Sequence, residues 1–76
     1  MKNELIGSDT GISEILTGRE IEVVCLLAKG FNAEEIADKL DISFNTIRTH
    51  KKNMLKKTGC RNATELVAKS LRQGVI

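Results

Sequence analysis

Arg48, Lys51, Lys52, Lys56 and Lys57 lie in one helix-length segment that begins at Ser43 and contains no acidic residue. From Ser43 to Arg61 there are six Lys or Arg and no Asp or Glu, while the rest of the chain holds six basic and ten acidic residues. The formal charge of +2 is therefore +6 in one quarter of the sequence and −4 elsewhere. Clustered positive charge favours a polyanionic partner and leaves the remainder acidic. Duplex nucleic acid fits better than single strands, because readers of unstacked bases need aromatic platforms and Phe31 and Phe44 are the only aromatic side chains besides His50. Catalysis lacks its constellation: there is one histidine, no glycine-rich phosphate loop and no Cys/His cluster, so neither cofactor nor metal is expected. Glu34 and Glu35 are adjacent on a helix and do not face each other, which makes them capping and solvated surface. Cys25 and Cys60 are too far apart for a paired-thiol motif and read as small buried hydrophobes.

The elements that carry these residues are helical. Proline is absent and no strand-like alternation persists. A first helix is expected from the Thr17/Glu20 capping box to about Lys29, stopping at Gly30, with Ile21, Val24, Cys25 and Ala28 inward and Val23, Leu26 and Leu27 widening the apolar surface. A helix this apolar is expected to be central. Asn32 and Glu35 cap a second helix whose Ile36, Ala37 and Leu40 share one face. It ends at Asp41, a residue that tolerates the left-handed conformation, and Ile42 is expected to plug the corner before Ser43 caps the third helix. So short a connection makes a helix-turn-helix.

Taking about 100° per residue, Met54 and Thr58 fall within about 20° of Ile47, flanked by His50 and Leu55; this is the expected buried side of the third helix, residues 43–58. The opposite side carries Asn45, Arg48, Thr49, Lys52 and Lys56, a polar and cationic stripe long enough to lie along a major groove. His50 is expected to be structural, with a phosphate contact within its reach. Beyond Gly59, Asn62 and Glu65 cap a fourth helix to about Gln73. Its face of Ala63, Leu66, Val67, Ser70 and Leu71 is expected to close the core, leaving Ala68, Arg72, Val75 and Ile76 as an edge for dimer contact.

Residues 1–15 carry weaker signals. Gly7 to Gly11 reads as a linker, while Ile12, Ile15 and Leu16 are apolar enough to dock on the core. The expected division is therefore a linker or partly ordered arm over 1–15 and a helix-turn-helix domain over 16–76, either free-standing or the end of a longer regulator. With 76 residues the core is small and marginal, so dimerisation or a covalent neighbour would add stability. No apolar run is long enough for a bilayer and no signal-peptide pattern is present, which makes cytoplasmic the default.

Leu16-Thr17-Gly18-Arg19-Glu20-Ile21-Glu22-Val23, Gly30, Glu35-Ile36-Ala37, Leu40-Asp41-Ile42-Ser43, Thr46-Ile47, His50 and Lys57-Thr58-Gly59-Cys60, in that order, resemble the LuxR-type (LuxR/GerE) helix-turn-helix domain over residues 16 to about 70. The resemblance implies an all-α, four-helix domain of a bacterial transcription regulator. Its third helix would enter the major groove of double-stranded DNA, and its fourth would pair two copies on an inverted repeat. Positions matching Arg48, Thr49 and Lys52 would face base edges, and those matching Ser43, Asn45, Thr46 and Lys56 would lie near the backbone. The sequence departs from the family at Glu34, where Lys is common, and at Lys51, where an apolar residue is usual and a lysine must snorkel toward a phosphate or loosen the core. It departs again at Thr58 and Cys60, commonly Leu and Val, and at Ala63, commonly Arg.

Three alternatives compete with this reading. A sigma-factor region 4 domain has a similar helix-turn-helix and would associate with RNA polymerase. A protein-interaction adaptor would dock the basic face on an acidic partner. Membrane-surface binding is disfavoured because the third helix spends its apolar face on the core.

Overall fold

The computed structural model describes residues 11–76, so the linker reading of Gly7, Ser8, Asp9 and Thr10 lies outside the described residues. These residues form five helices: α1 (Ile12–Ile15), α2 (Gly18–Ala28), α3 (Ala33–Leu40), α4 (Phe44–Thr58) and α5 (Ala63–Arg72). The last four are those expected from the sequence, and α1 is additional. Four residues are too few to nucleate a helix alone. Tertiary contacts hold α1 in place: Ile12 is fully buried, α1 packs on α4, and the Ile12 amide donates to Gln73 Oε1 at the end of α5 (2.7 Å).

α2 touches α3, α4 and α5, the central position its apolar surface requires. Its most deeply buried residues are Glu20, Val23 and Val24 rather than the expected Ile21, Val24, Cys25 and Ala28; Ile21 and Cys25 are half-buried and Ala28 is exposed. The inward face follows the Glu20 carboxylate. Thr17 caps α2 in a reciprocal box, the Glu20 amide donating to Thr17 Oγ1 (3.1 Å) and the Thr17 amide to Glu20 Oε1 (2.8 Å). The same Oε1 accepts from Lys57 Nζ on α4 at 2.6 Å, with the Glu20 side chain only 4% exposed. Residues 20, 23 and 24 share one side of α2 through their i, i+3, i+4 spacing, and the ion pair lies on that buried side. The two cysteines are half-buried free thiols, not core residues, Cys25 because it lies off this centre line.

Asn32 and Glu35 form a second reciprocal box on α3, and Ile36 and Ala37 are buried. Asp41 takes the left-handed conformation (φ 55°, ψ 46°), and the Ile42 amide reaches back to the Ala37 carbonyl at 3.0 Å. That turn folds Ile42 against the core and leaves Ser43 to cap α4. α4 buries Ile47, Met54 and Thr58, the side expected of it, and ends at Gly59 with φ 72°. In α5 the buried residues are Leu66 and Ser70; Leu71, expected in the core, is 58% exposed because it lies about 100° around the helix from Ser70 and further still from Leu66. Gly74, at φ 71°, turns the tail back so that Val75 and Ile76 pack against the core instead of forming a free edge. No helix among the described residues is long and apolar enough to cross a membrane.

Burial alone would raise the Glu20 carboxyl, but the Lys57 ammonium and the Thr17 amide outweigh it and hold the group below its ordinary value of 4.5. A lowered folded-state pKa contributes stability that is present above the unfolded value and lost as pH falls through the folded one. Glu20→Gln is expected to cost about 1 to 2 kcal/mol at neutral pH, a charged hydrogen bond discounted for the partial exposure of Lys57. In urea denaturation the gap between the two proteins should close as pH falls below 4.5. Asp41→Gly should add roughly 0.5 to 1 kcal/mol in the same assay, because glycine adopts the left-handed turn without a Cβ penalty.

Candidate nucleic-acid interface

The interface is built on α4. Its N-terminus is capped by Ser43, whose Oγ accepts from the Thr46 amide at 3.0 Å and lies 2.8 Å from Thr46 Oγ1. The first turn holds no acidic residue, so the positive end of the helix dipole is not neutralised locally. Ser43 and Thr46 are exposed there, where hydroxyls and amides suit a phosphate.

Asn45, Arg48, Thr49 and Lys52 line one shallow, open depression of about 350 Å³ on the outer side of α4. Lys56 continues the stripe one turn later, and all five residues are exposed. The stripe expected from rotation is thus continuous. Ile47, Met54 and Thr58 fix it by anchoring the opposite side. His50 and Lys51 are half-buried on the flanks, in line with Lys51 leaning toward the position where an apolar residue is usual.

The six cations of this segment divide by partner. Lys57 is tied to Glu20. Arg61 is tied to Glu65, Nη2 to Oε2 at 3.1 Å and Nε to the same oxygen at 3.2 Å, and its amide donates to Glu65 Oε1 at 2.7 Å. These bonds hold the Glu65 carboxyl below its usual range, the Arg61 amide contributing most. Among the described residues, Arg48, Lys51, Lys52 and Lys56 have no ion-pair partner. Arg48 instead sits over the Phe44 ring, 5.9 Å from its centroid. That pairing went unread in the sequence, although spacing of i, i+4 from an aromatic residue to an arginine was the signal.

At the other end of the domain, the dimer candidates occupy mixed environments. Arg72 is exposed, Ala68 is half-buried, and Val75 is half-buried against its own core. The exposed apolar side chain nearest to them in sequence is Leu71.

The family model for bacterial regulatory proteins of the LuxR family matches residues 14–70, three quarters of the chain and all of α2, α3 and α4. The chain belongs to this family. It is a DNA-binding transcription regulator domain rather than an enzyme, with α3 and α4 as its helix-turn-helix. Among curated proteins the chain is similar to the oxygen regulatory protein NreC of Staphylococcus aureus strains JH9 and Mu3, 35% identical in each over 74 residues. The match covers 97% of this chain and 34% of each relative, so the chain spans about a third of their length.

For this LuxR-family domain the ion-pair partition makes a distinguishing test. Lys52→Ala and Lys56→Ala should each reduce the slope of log affinity for duplex DNA against log salt by about 0.9 for every phosphate left without its cation, whereas Lys57→Met should leave the slope unchanged. Fluorescence anisotropy at several salt concentrations reads the difference.

Proposed function

We propose that the chain is the DNA-reading part of a bacterial transcription regulator, placing α4 in the major groove and binding as a homodimer on an inverted repeat. The observation that carries this reading is the acid-free stripe from Asn45 to Lys56, exposed along α4 while the opposite side is buried. A helix of this length fits a groove that admits one helix. In this reading Arg48, Thr49 and Lys52 meet base edges, Arg48 donating two hydrogen bonds to a guanine for about 1 to 3 kcal/mol of discrimination. Ser43, Asn45, Thr46 and Lys56 hold the phosphate backbone and set the register, with Lys51 and His50 at the margin.

Residues 16–76 form the DNA-binding body and 1–15 the arm that leads into it, with α1 laid against α4. Pairing runs through α5 and the tail that follows it, led by the exposed Leu71 and Arg72, with the half-buried Ala68 and Val75 at the margin of the contact. The regulator acts in the cytoplasm, where duplex DNA is its direct partner and RNA polymerase the machinery whose access it alters.

Selection from a random duplex library is expected to return an inverted repeat with half-sites about one helical turn apart. If each subunit neutralises about four phosphates, a bound dimer should show a slope of about −7 in log affinity against log salt. Arg48→Ala should relax preference at one base pair per half-site while folding, followed by circular dichroism, stays intact. Absence of both salt dependence and sequence preference would overturn the assignment, and stable association with polymerase core in place of a preferred duplex would favour a sigma-like role.

A further inference from the structure

Phe44, the first residue of α4, is a large apolar side chain, 43% exposed, beside an otherwise polar stripe. It is not a core residue, since the buried side of α4 begins at Ile47. Its ring lies one turn before Arg48, whose guanidinium carbon sits 5.9 Å from the ring centroid, within the range of a cation–π contact. Arg48 has no acidic partner among the described residues, so none of their carboxylates competes with the ring or with DNA for its charge.

We infer that Phe44 is a positioning residue for sequence reading: its ring holds the Arg48 guanidinium at the mouth of the depression formed with Asn45, Thr49 and Lys52. This role rests on the base-reading assignment of Arg48 above and adds the reason that this arginine is ready for it. A free arginine loses several rotatable degrees of freedom when it pairs with a guanine edge, and that ordering cost reduces affinity. A ring that already confines the guanidinium lowers the cost, and it does so without sequestering hydrogen-bond donors, because a π face attracts the cation and leaves its N–H groups free. A carboxylate in the same place would occupy the two N–H groups that guanine needs. Phe44 therefore acts on specificity at the one base pair read by Arg48 and leaves the base contact of Lys52 and the phosphate contact of Lys56 untouched.

The test is a double-mutant cycle on the full chain with the duplex recovered by selection, using Phe44→Ala, Phe44→Tyr, Arg48→Ala and the Phe44→Ala/Arg48→Ala pair. Phe44→Ala should weaken binding to the preferred duplex roughly three- to five-fold, the scale of an exposed cation–π contact, with affinity for a random duplex and the salt slope unchanged. Discrimination against a substitution of the Arg48-dependent base pair should fall by the same factor, while discrimination at other positions holds. Phe44→Tyr, which keeps the π face, should restore both. On an Arg48→Ala background, Phe44→Ala should have no further effect. Additive losses in the cycle, or a Phe44→Ala loss shared equally by the random duplex, would overturn the positioning role while leaving Arg48 as a reader. If Arg48→Ala itself leaves sequence preference unchanged, the base-reading assignment falls, and the role of Phe44 falls with it.

Discussion

Oε1 of Glu20 accepts two donors from different helices, the Thr17 amide that opens α2 and the Lys57 ammonium near the end of α4. The two donors belong to segments far apart in sequence, so the bond is a cross-brace between the central helix and the reading helix. A carboxylate this buried would be costly unless compensated, and here a cap hydrogen bond and a counter-charge satisfy it at one oxygen. The brace fixes the rotation of α4 as well as its place. With Lys57 held toward α2 and Ile47 and Met54 in the core, Arg48, Thr49, Lys52 and Lys56 have one direction left, toward solvent.

The reading surface follows from this division of labour among like charges. Two of the six cations between Ser43 and Arg61 serve the fold, Lys57 through Glu20 and Arg61 through Glu65 at the approach to α5. Among the described residues the other four have no ion-pair partner. Because the first turn of α4 contains no acid and its cap is a serine rather than an aspartate, the helix dipole adds to the same field. The acidic residues of α3, Glu34, Glu35 and Asp38, sit on the neighbouring helix, and Glu35 is engaged in its own cap. α4 itself carries no acid, which keeps the field over it positive despite the small net charge of the chain.

The departures from the family pattern have physical accounts where the structure reaches them. Thr58 replaces a common leucine at a buried position, and its hydroxyl would be costly there unpaired. It donates to the Met54 carbonyl at 2.7 Å and accepts from the Cys60 amide at 3.4 Å, while Lys69 Nζ reaches the Thr58 carbonyl at 3.4 Å. Together these bonds satisfy groups at the C-terminal end of α4 where a leucine would only have packed. Lys51, in place of an apolar residue, is half-buried, consistent with an aliphatic stem laid along the core margin. Glu34 is exposed on the first turn of α3, where a negative charge suits the helix dipole but not a phosphate.

Local chemistry was legible in the sequence because it is written at short range. The Thr17/Glu20 and Asn32/Glu35 boxes, the Ser43 cap, the left-handed Asp41 and the Gly59 stop each depend on residues within a few positions, and their spacing identified α2 to α4 and the two sides of α4. The ordered motifs carried the family. Periodicity could not reveal contacts between elements: a helical wheel shows that Lys57 is cationic but not that Glu20 lies opposite it, and it shows that Leu71 and Val75 are apolar but not which of them turns inward. α1 was invisible for the same reason, since four residues become helical only when Ile12 is buried and Gln73 caps its amide. The sequence by itself thus determined four of the five helices, their caps and the existence of a basic face. The tertiary structure decided which charges that face retains, because an ion pair depends on which helices meet, and that is set by burial across the whole chain.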